Sequence, residues 1–203
     1  MKGGRAIIVT GTPGTGKTRF GRLLASRLGI DKISVTMFAR RHNLIKSYDR
    51  KRRTYLVSER KLKRKLEEYL RHSKRKVLLE GHYSHCLLPT RLVDFVFVLR
   101  CRPEILWNRL RRRGYPSAKI RENVEAEILD VCLSEAVASY GIRKVAELDT
   151  STGSIENCVK KALLILEKKE GGRVGEHDWL AALDKAGRLS RFLGERAVPW
   201  RSS

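Results

Sequence analysis

The sequence has few of the features of a secreted or membrane protein. Its four cysteines are scattered singly, with no CxxC pair and no dense spacing of the kind found in disulfide-stapled domains, so reduced thiols are expected. No apolar run is long enough to cross a bilayer. The short run Ala6–Val9 is too brief for a secretory signal. These absences predict an intracellular protein, cytoplasmic or, in a eukaryote, nuclear, with no membrane partner.

Acidic residues are scarce relative to basic ones. The 203 residues include 44 Lys and Arg against 22 Asp and Glu, a formal net charge of +22. The excess is concentrated between Arg40 and Lys76, where 16 basic and 4 acidic residues leave +12. Such a field attracts polyanions and favours RNA or a ribonucleoprotein as partner. A solvated basic surface, as in heat-adapted proteins, would have the same composition.

Short apolar runs alternate with longer amphipathic stretches. Buried parallel strands are expected at 5–10, 76–79, 95–99 and 144–148, with a weaker one at 32–35. Helical spacing is expected over 17–28, 58–72, 103–113, 117–140 and 154–169. This alternation predicts one α/β domain over residues 1–170, with a doubly wound, five-stranded parallel sheet and helices on both faces.

Gly171 and Gly172 mark the expected end of that domain. The extension 171–203 is too short for a core of its own and is expected to form one helix over 176–193. Its apolar side chains, which include Leu183 and Phe192, either pack on the main domain or dock on a partner.

The sequence GTPGTGKT at 11–18, here called the phosphate loop, lies between an apolar strand and an amphipathic helix. Its glycines let consecutive backbone N–H groups point at an anion, and the following helix adds its positive N-terminal end. Lys17 is expected to reach the β- and γ-phosphates, and the Thr18 hydroxyl to bind Mg²⁺. The loop therefore predicts a nucleoside triphosphate, ATP or GTP, with Mg²⁺.

Two candidate catalytic groups follow the apolar run 76–79. Glu80 stands at a strand end, where P-loop enzymes place a carboxylate near the metal, and it is expected to hold a magnesium-bound water or to orient the nucleophile. His82 is a candidate for positioning water or substrate, with simple packing as the alternative. His82, His85 and Cys86 lack the paired spacing of a structural zinc site, so zinc is not expected.

Arginines cluster at 109, 111, 112 and 113, before the turn Gly114-Tyr115-Pro116. Phosphoryl transfer needs cations that neutralise the developing charge, and this composition is typical of a lid. On a helix Arg109 and Arg113 share a face while Arg111 and Arg112 point elsewhere, so the four cannot converge on one phosphate. Arg109 is the candidate for ATP contact, and a basic surface helix is the alternative.

Together these motifs resemble the family of the sixth adenylate kinase isoenzyme, adenylate-kinase-like P-loop ATPases that are also small-ribosomal-subunit assembly factors. The resemblance runs from about Ile7 to Lys169 and is closest to an archaeal-type member. It rests on the phosphate loop, EGHYSH at 80–85, VFVLR at 96–100, RGY at 113–115 and IRENVEAEI at 120–128. Glu80 stands where the family usually has Asp. The chain from Gly171 onward lies outside the resemblance.

The resemblance implies an adenylate-kinase fold with a nucleoside monophosphate (NMP)-binding region at about 34–57 and a short lid at about 108–118. It implies adenylate kinase or ATPase activity in small-subunit maturation, with AMP or water as acceptor. The implied partners are a ribosomal protein of the uS-eleven type and rRNA. Carried over by position, the implied ATP-binding residues are Gly14, Gly16, Lys17, Thr18, Arg19 and Arg109. Thr15 of the phosphate loop is a further candidate, as is Thr152, which would contact adenine through its backbone because this chain lacks the Lys that some members have in that segment.

Three hypotheses follow from the sequence. The first is an adenylate kinase or ATPase that serves ribosome assembly, the second a metabolic small-molecule or NMP kinase, and the third an RNA- or ribosomal-protein-binding module with weak ATPase activity. The intact Lys17 and Thr18 favour an enzyme, and the +12 segment favours the first hypothesis over the second. The expected mechanism is in-line transfer, with Mg²⁺, Lys17 and Arg109 stabilising charge and Glu80 or His82 orienting the acceptor.

Overall fold

The structure, a computed structural model, describes residues 4–49, 54–73, 75–169 and 171–193. The strands in these residues are β1 (Ala6–Thr10), β2 (Asp31–Ser34), β3 (Ile45–Asp49), β4 (Thr54–Val57), β5 (Val77–Glu80), β6 (Val93–Arg100) and β7 (Val145–Asp149). Five of them form a parallel sheet in the order β2-β5-β1-β6-β7, and β3 and β4 form a separate antiparallel hairpin. The predicted five-stranded parallel sheet is confirmed.

The helices are α1 (Lys17–Leu28), α2 (Val35–Arg41), α3 (Glu59–His72), α4 (Pro103–Arg112), α5 (Ser117–Ile128), α6 (Val131–Tyr140), α7 (Ile155–Leu166) and α8 (Trp179–Lys185). Pro103 opens α4, where its missing N–H costs nothing. Ser154 caps α7 by accepting a hydrogen bond from the backbone N–H of Asn157. In the described part of the chain, no helix combines the length and hydropathy needed to span a membrane.

Side chains of the central strand β1 are buried on both faces of the sheet. Ala6 and Ile8 pack in one apolar cluster with side chains of α3 and α6, whereas Ile7 and Val9 pack in a second cluster with α1 and α7. Because helices cover both faces, a continuous apolar run, rather than alternation of polar and apolar residues, is what this strand requires. The carboxyl end of β1 then delivers the phosphate loop to the edge of the sheet.

The single helix predicted over 117–140 is wrong. α5 ends at Ile128 and α6 begins at Val131 because Asp130 adopts a left-handed backbone with φ of 54°. Asp tolerates this conformation better than most side chains, and its carboxylate contacts the guanidinium of Arg100. Helical spacing continues across the break, so periodicity alone could not reveal it.

The region 34–57 contains α2 and the β3–β4 hairpin, and neither strand of the hairpin was predicted. Ile45 pairs with Val57 and Asp49 with Thr54 in antiparallel register. The rings of Tyr48 and Tyr55 lie across the hairpin with centroids 4.9 Å apart. The basic residues 50–53, part of the +12 segment, lie outside the described residues.

The C-terminal segment, residues 171–193, packs on the main domain. The single helix predicted over 176–193 is wrong, because Gly187 at φ of 62° follows α8 and only a 3-10 turn, Leu189–Arg191, comes after it. Leu183 and Phe192 are buried in an apolar cluster with side chains of α4 and α5. Of the two alternatives left by the sequence, the described residues adopt packing on the main domain.

Candidate active site

The phosphate loop connects β1 to α1 and is shaped by glycines. Gly11 and Gly14 have φ of 133° and 98°. A Cβ on Gly11 would lie 2.4 Å from the carbonyl oxygen of Leu99, and one on Gly14 would lie 2.7 Å from Leu106 Cδ1. Because other residues avoid both this backbone and such contacts, glycine is required at the two positions. The loop can then curl around an anion at the N-terminus of α1.

Lys17 lies at the start of α1 with its ammonium folded back over the phosphate loop. Nζ donates to the carbonyl oxygens of Gly11 at 2.8 Å and Thr12 at 2.9 Å. Burial lowers the pKa of Lys17 to about 8, so the side chain is mainly protonated at pH 7. Phosphate oxygens are stronger partners for an ammonium than neutral carbonyls. Lys17 is therefore placed to exchange these two carbonyls for phosphate oxygens.

Thr18 and Glu80 lie together, as the sequence predicts. The hydroxyl of Thr18 donates to Oε1 of Glu80 at 3.2 Å, and the Glu80 side chain is buried. A hydroxyl and a carboxylate are the hard oxygen donors that Mg²⁺ prefers, with water and phosphate oxygens completing its shell. The two residues therefore fit a magnesium ion bound together with a nucleotide.

Lys32 is a partner of Glu80 that sequence reasoning missed. Its Nζ donates to Oε2 of Glu80 at 3.2 Å. The contact arises because β2 neighbours β5 in the sheet, with Ser34 paired to Glu80. Order along the chain gives no sign of this adjacency. Lys32 fixes one carboxylate oxygen and leaves the other facing Thr18.

His82 lies between the phosphate loop and a neighbouring cavity. Its Nδ1 is 3.1 Å from the carbonyl oxygen of Gly11, which can only accept, so we assign the ring proton to Nδ1 and leave Nε2 as an acceptor. Burial, with the nearby charge of Lys17, lowers the pKa of His82 to about 4. At pH 7 the ring is neutral, so it suits orienting a hydroxyl or water better than stabilising negative charge.

His85 belongs to the framework beneath His82. Its buried ring places Nδ1 2.7 Å from the hydroxyl of Thr10 and Nε2 2.7 Å from a carboxylate oxygen of Glu135. Thr10 in turn donates to the backbone carbonyl of His82 at 2.9 Å. The ligand atoms of His85, Cys86 and Glu135 lie within 4.8 Å of one another, but both ring nitrogens of His85 already have protein partners. We therefore assign His85 to holding the strand end and His82.

A cavity of about 410 Å³, here called the nucleotide cavity, lies beside the phosphate loop. Thr150 joins two of its walls, because its hydroxyl donates to the carbonyl oxygen of Thr15 at 2.9 Å and its own carbonyl accepts from Arg109 at 2.6 Å. The residues expected to bind ATP that line this cavity are Gly14, Thr15, Gly16, Arg19, Arg109 and Thr152.

Three of the four clustered arginines line the nucleotide cavity. Arg109, Arg112 and Arg113 face it and Arg111 does not, so the four do not converge, as the helical spacing predicts. Arg112, expected to point elsewhere, also reaches the cavity because α4 ends at this residue and the chain turns there. With Arg19 of α1, the cavity thus combines four guanidinium groups with the positive end of α1, which suits an anionic phosphate chain.

A second cavity of about 520 Å³, here called the acceptor cavity, lies on the other side of His82. Pro13 contributes to its wall, so it reaches the phosphate loop. Half of its lining residues come from the predicted NMP-binding region and α3. They are the polar Thr36 and Glu59 and the apolar or aromatic Val35, Ala39, Ile45, Tyr55, Leu56, Val57 and Leu62. Lys119 and Asn123 of α5 add polar groups beside His82.

A buried polar network that sequence reasoning missed supports the phosphate loop from behind. The Thr12 hydroxyl donates to Oε2 of Glu127 at 2.5 Å, and Arg100 forms ion pairs with Glu127, Asp130 and Glu147. The stretches 96–100 and 120–128 that carry the family resemblance contain Arg100 and Glu127, but only the fold brings them together. The sequence signal that could have revealed this network was Arg100, a charged residue at the end of the apolar strand β6.

Comparison with known proteins gives the chain a family. Residues 7–130 match the family described as AAA domain. A Methanocaldococcus jannaschii protein described as "Putative adenylate kinase" is 40% identical over 174 residues, covering 85% of this chain and 92% of the relative. A Pyrococcus abyssi protein of the same description is 38% identical and covers 93% of this chain and 99% of the relative.

The Pyrococcus relative corrects one expectation about the C-terminal segment. Its match leaves 7% of the 203 residues, about 14, outside the alignment, fewer than the 33 residues of 171–203. The expectation that the chain from Gly171 onward lies outside the resemblance is therefore wrong for this relative.

Solved structures with low identity share the fold. A shikimate kinase from Acinetobacter baumannii has a TM-score of 0.56 at 15% identity, covering 82% of this chain and 95% of its own. A sugar kinase from a Janibacter species has a TM-score of 0.53 at 18% identity, covering 81% and 95%. With the phosphate loop, both cavities and these relatives in view, the chain belongs to the AAA domain family and is a nucleotide-binding kinase of the P-loop type.

Proposed function

We propose that this protein transfers the γ-phosphoryl group of magnesium-bound ATP to AMP, which yields two ADP, and that it hydrolyses ATP when water takes the place of AMP. The observation that carries the proposal is a pair of unlike cavities on either side of the phosphate loop. One is lined by arginines and the other by apolar and aromatic side chains beside His82. The archaeal relatives are named after the same reaction.

The donor side neutralises charge. An oxygen of the AMP phosphate attacks the γ-phosphorus while the bond to the bridging oxygen of ADP breaks, so negative charge spreads over the γ- and bridging oxygens. Lys17, folded over the phosphate loop, and Arg109, which lines the nucleotide cavity, stabilise that charge. Thr18 and Glu80 would hold Mg²⁺, which would supply further neutralisation of the phosphate charge.

His82 orients the acceptor. Its Nδ1 proton is committed to Gly11, so the neutral Nε2 can accept a hydrogen bond from a protonated phosphate oxygen of AMP or from water. With a pKa of about 4 the ring is too weak a base to hold that proton at pH 7. Its contribution is therefore position, which is the main requirement of phosphoryl transfer.

The lining of the acceptor cavity favours a nucleotide base over a polyol. Shikimate and sugar acids carry hydroxyl groups around a small ring or chain and require several polar partners. Here the lining includes Ile45, Tyr55, Leu56 and Val57, with Tyr83 next to His82. Flat aromatic bases stack on such side chains. Thr36 and Glu59 are the polar lining residues of the NMP-binding region and α3. His82, Lys119 and Asn123 are the polar residues on the phosphate-loop side, where the phosphate of AMP lies in this proposal.

The test is ADP production from ATP and Mg²⁺ without acceptor, with AMP, and with shikimate or gluconate. We expect AMP to raise the rate well above that of water and the polar acids to have no effect. A rate that rises with shikimate or gluconate but not with AMP would overturn the acceptor assignment. Lys17→Ala serves as the control, because a rate that it leaves unchanged does not depend on the phosphate loop.

We further infer that this activity serves small-ribosomal-subunit maturation in the cytoplasm, with a ribosomal protein of the uS-eleven type and rRNA as partners. The support is electrostatic. α3 carries the exposed arginines Arg60, Arg64 and Arg71, whose spacing of four and seven residues places them along one stripe of the helix. A stripe of guanidinium groups matches a phosphate backbone.

The ribosomal role is tested separately from the kinase reaction. ATPase rates are measured with and without purified uS-eleven-type protein, and binding to small-subunit rRNA is measured as a function of salt. We expect stimulation by the protein and an RNA affinity that falls steeply as salt rises. No effect of the protein, together with no binding of rRNA at low salt, would remove the ribosomal role and leave a metabolic kinase.

A further inference from the structure

The phosphate loop is fastened to the interior at Thr12. The Thr12 side chain is fully buried, and its hydroxyl donates to Oε2 of Glu127 at 2.5 Å. The carbonyl of the same residue accepts from Lys17 at 2.9 Å. Contacts that hold Glu127 in place therefore also hold Thr12, whose carbonyl accepts the hydrogen bond from Lys17 in the absence of phosphate.

Glu127 is held in turn by Arg100. Oε1 of Glu127 accepts from Nε of Arg100 at 2.9 Å and from the backbone N–H of Cys101 at 3.0 Å. The Arg100 side chain is 2% exposed and also pairs with Asp130 and with Glu147. One buried guanidinium thus faces three carboxylates, an excess of negative charge that needs further donors.

The C-terminal segment supplies those donors to Glu147. Oε1 of Glu147 accepts from the backbone N–H groups of Glu176 and His177, and the Glu147 backbone N–H donates to the carbonyl of Arg173 at 3.0 Å. Among the described residues, Arg100 is the one cation in an ion pair with Glu147. The segment 173–177 therefore stabilises a buried charge that the main domain leaves partly unsatisfied.

The same segment is anchored to the helix that carries Arg109. Leu183 and Phe192 are buried in a cluster with side chains of α4 and α5, and the ring of Phe192 lies 6.2 Å from that of Trp107 of α4 in an edge-on arrangement. Arg188 pairs with Glu104 of α4 at 3.1 Å. The C-terminal segment thus contacts both the network behind the phosphate loop and the arginine helix in front of it.

We propose that Glu127, Arg100 and Glu147 are positioning residues for the phosphate loop and that residues 173–177 hold the outer end of this connection. None of the three side chains lines either cavity, so they act on ATP through the shape of the loop. The hydrogen bonds from the C-terminal segment to Glu147 then determine how well ordered the phosphate loop is and how tightly the loop binds phosphate. The effect on phosphate binding rests on the proposed ATP binding, whereas the effect on the order of the loop does not.

Hydrogen exchange of the nucleotide-free protein tests the connection. The amides of Thr15, Arg19 and Phe20, which bond to loop carbonyls, report on the phosphate loop. Glu147→Gln keeps the side-chain shape and removes the charge, and we expect exchange to rise about tenfold both at 173–177 and at these loop amides. A rise confined to 173–177 would overturn the proposal.

A matched control separates coupling from general loss of stability. Tyr140→Phe removes another buried hydrogen bond, from the Tyr140 hydroxyl to the carbonyl of Leu88 at 2.8 Å, outside the network. It is expected to leave loop exchange unchanged. Should Glu147→Gln fail to fold, Leu183→Ala loosens α8 from α4 instead, and the same paired rise at 173–177 and at the loop is expected. Equal loop exchange in Tyr140→Phe and Glu147→Gln would contradict the proposal.

Calorimetric titration with a non-hydrolysable ATP analogue and Mg²⁺ gives the second readout. We expect Kd to rise about tenfold in Glu127→Gln and less in Glu147→Gln, which lies one step further away, with no change in Tyr140→Phe. An unchanged Kd in Glu127→Gln would overturn the positioning role. If even the unaltered protein binds no analogue, the proposed function fails, whereas the exchange result still decides the connection.

Discussion

The donor side of the active site, formed by the phosphate loop and the nucleotide cavity, differs in residue type from the acceptor side, formed by the acceptor cavity. On the donor side, buried polar groups are fixed by hydrogen bonds and ion pairs, as with Lys17, Thr12 and Arg109. On the acceptor side, the wall is mostly apolar, and Leu56 and Tyr83 leave more than half of their surface exposed, at 51% and 61%. The donor side is ordered before a ligand arrives, and the acceptor side still has apolar surface to bury.

This difference assigns different tasks to the two sides. Preorganised charges stabilise a transition state without further rearrangement, which suits phosphoryl transfer. An apolar wall with exposed surface can gain binding energy when it covers a base and excludes water. Substitutions on the donor side should therefore reduce the rate of transfer, whereas substitutions on the acceptor side should change mainly the KM of the acceptor.

The largest effect is expected at Lys17. Replacing Lys17 with alanine removes the ammonium group, which donates to the carbonyl oxygens of Gly11 and Thr12 and is expected to donate to phosphate oxygens when ATP binds. We expect kcat to fall by about 100- to 1,000-fold, in line with the loss of one preorganised charge donor. Steady-state ADP production measures it, with circular dichroism as the check on folding. A kcat within twofold of the unaltered protein would contradict the assignment.

Arg109 is expected to come next. Arg109→Gln removes a guanidinium that lines the nucleotide cavity and bonds to Thr150, and we expect kcat/KM for ATP to fall by about 10- to 100-fold. Arg111→Gln is the matched control, since it removes the same charge from the same helix outside the cavity. Equal losses in the two variants would show that only the general positive field matters.

His82 predicts a pH dependence of folding stability. Its pKa is lowered from 6.5 to about 4 in the folded protein, so the unfolded chain binds the proton first and stability falls as pH drops below about 6.5. The loss contributed by His82 between pH 7.5 and 5 should be about 1–2 kcal/mol.

Urea unfolding at several pH values measures this loss. His82→Asn keeps a donor for Gly11 and removes the titrating ring, so the slope of stability against pH over this range should become shallower. An unchanged slope would mean that His82 keeps its ordinary pKa in the folded protein.

The smallest effect is expected on the acceptor side. Tyr83 is 61% exposed and lines the acceptor cavity, and removing one stacking surface should raise the KM for AMP about fivefold in Tyr83→Ala. The KM for ATP should stay unchanged. Tyr69→Ala, an exposed tyrosine outside that cavity, serves as the control. A rise in the KM for ATP instead of AMP would mean that ATP, and not AMP, binds in the acceptor cavity.

Much of the fold followed from local patterns. The buried strands could be predicted because side chains on both faces of a parallel sheet are apolar, which gives runs such as Ala6–Val9. The phosphate loop could be predicted because its glycines are required by backbone geometry. The β3–β4 hairpin was missed because β3 carries charged and polar residues, with Lys46 and Ser47 beside Tyr48, and because β4 is only four residues long.

The candidate site was predictable where a contact lies within one motif or joins residues that follow parallel strands of the sheet. Thr18 and Glu80 come from separate segments, yet each follows a strand, and the carboxyl ends of parallel strands meet at one edge. The pairs Lys32 with Glu80 and Thr12 with Glu127 depend on which strands and helices become neighbours. No local pattern encodes that order, so these partners became visible only in the fold.

The central claim is that two nucleotide sites meet at the phosphate loop. Calorimetric titration of AMP into protein saturated with a non-hydrolysable ATP analogue and Mg²⁺ tests it without any need for turnover. Two separate sites require one AMP to bind per chain while the analogue stays bound. Absence of AMP binding once the analogue fills its site, but binding when the analogue is left out, would mean that both compete for one site and would contradict the claim.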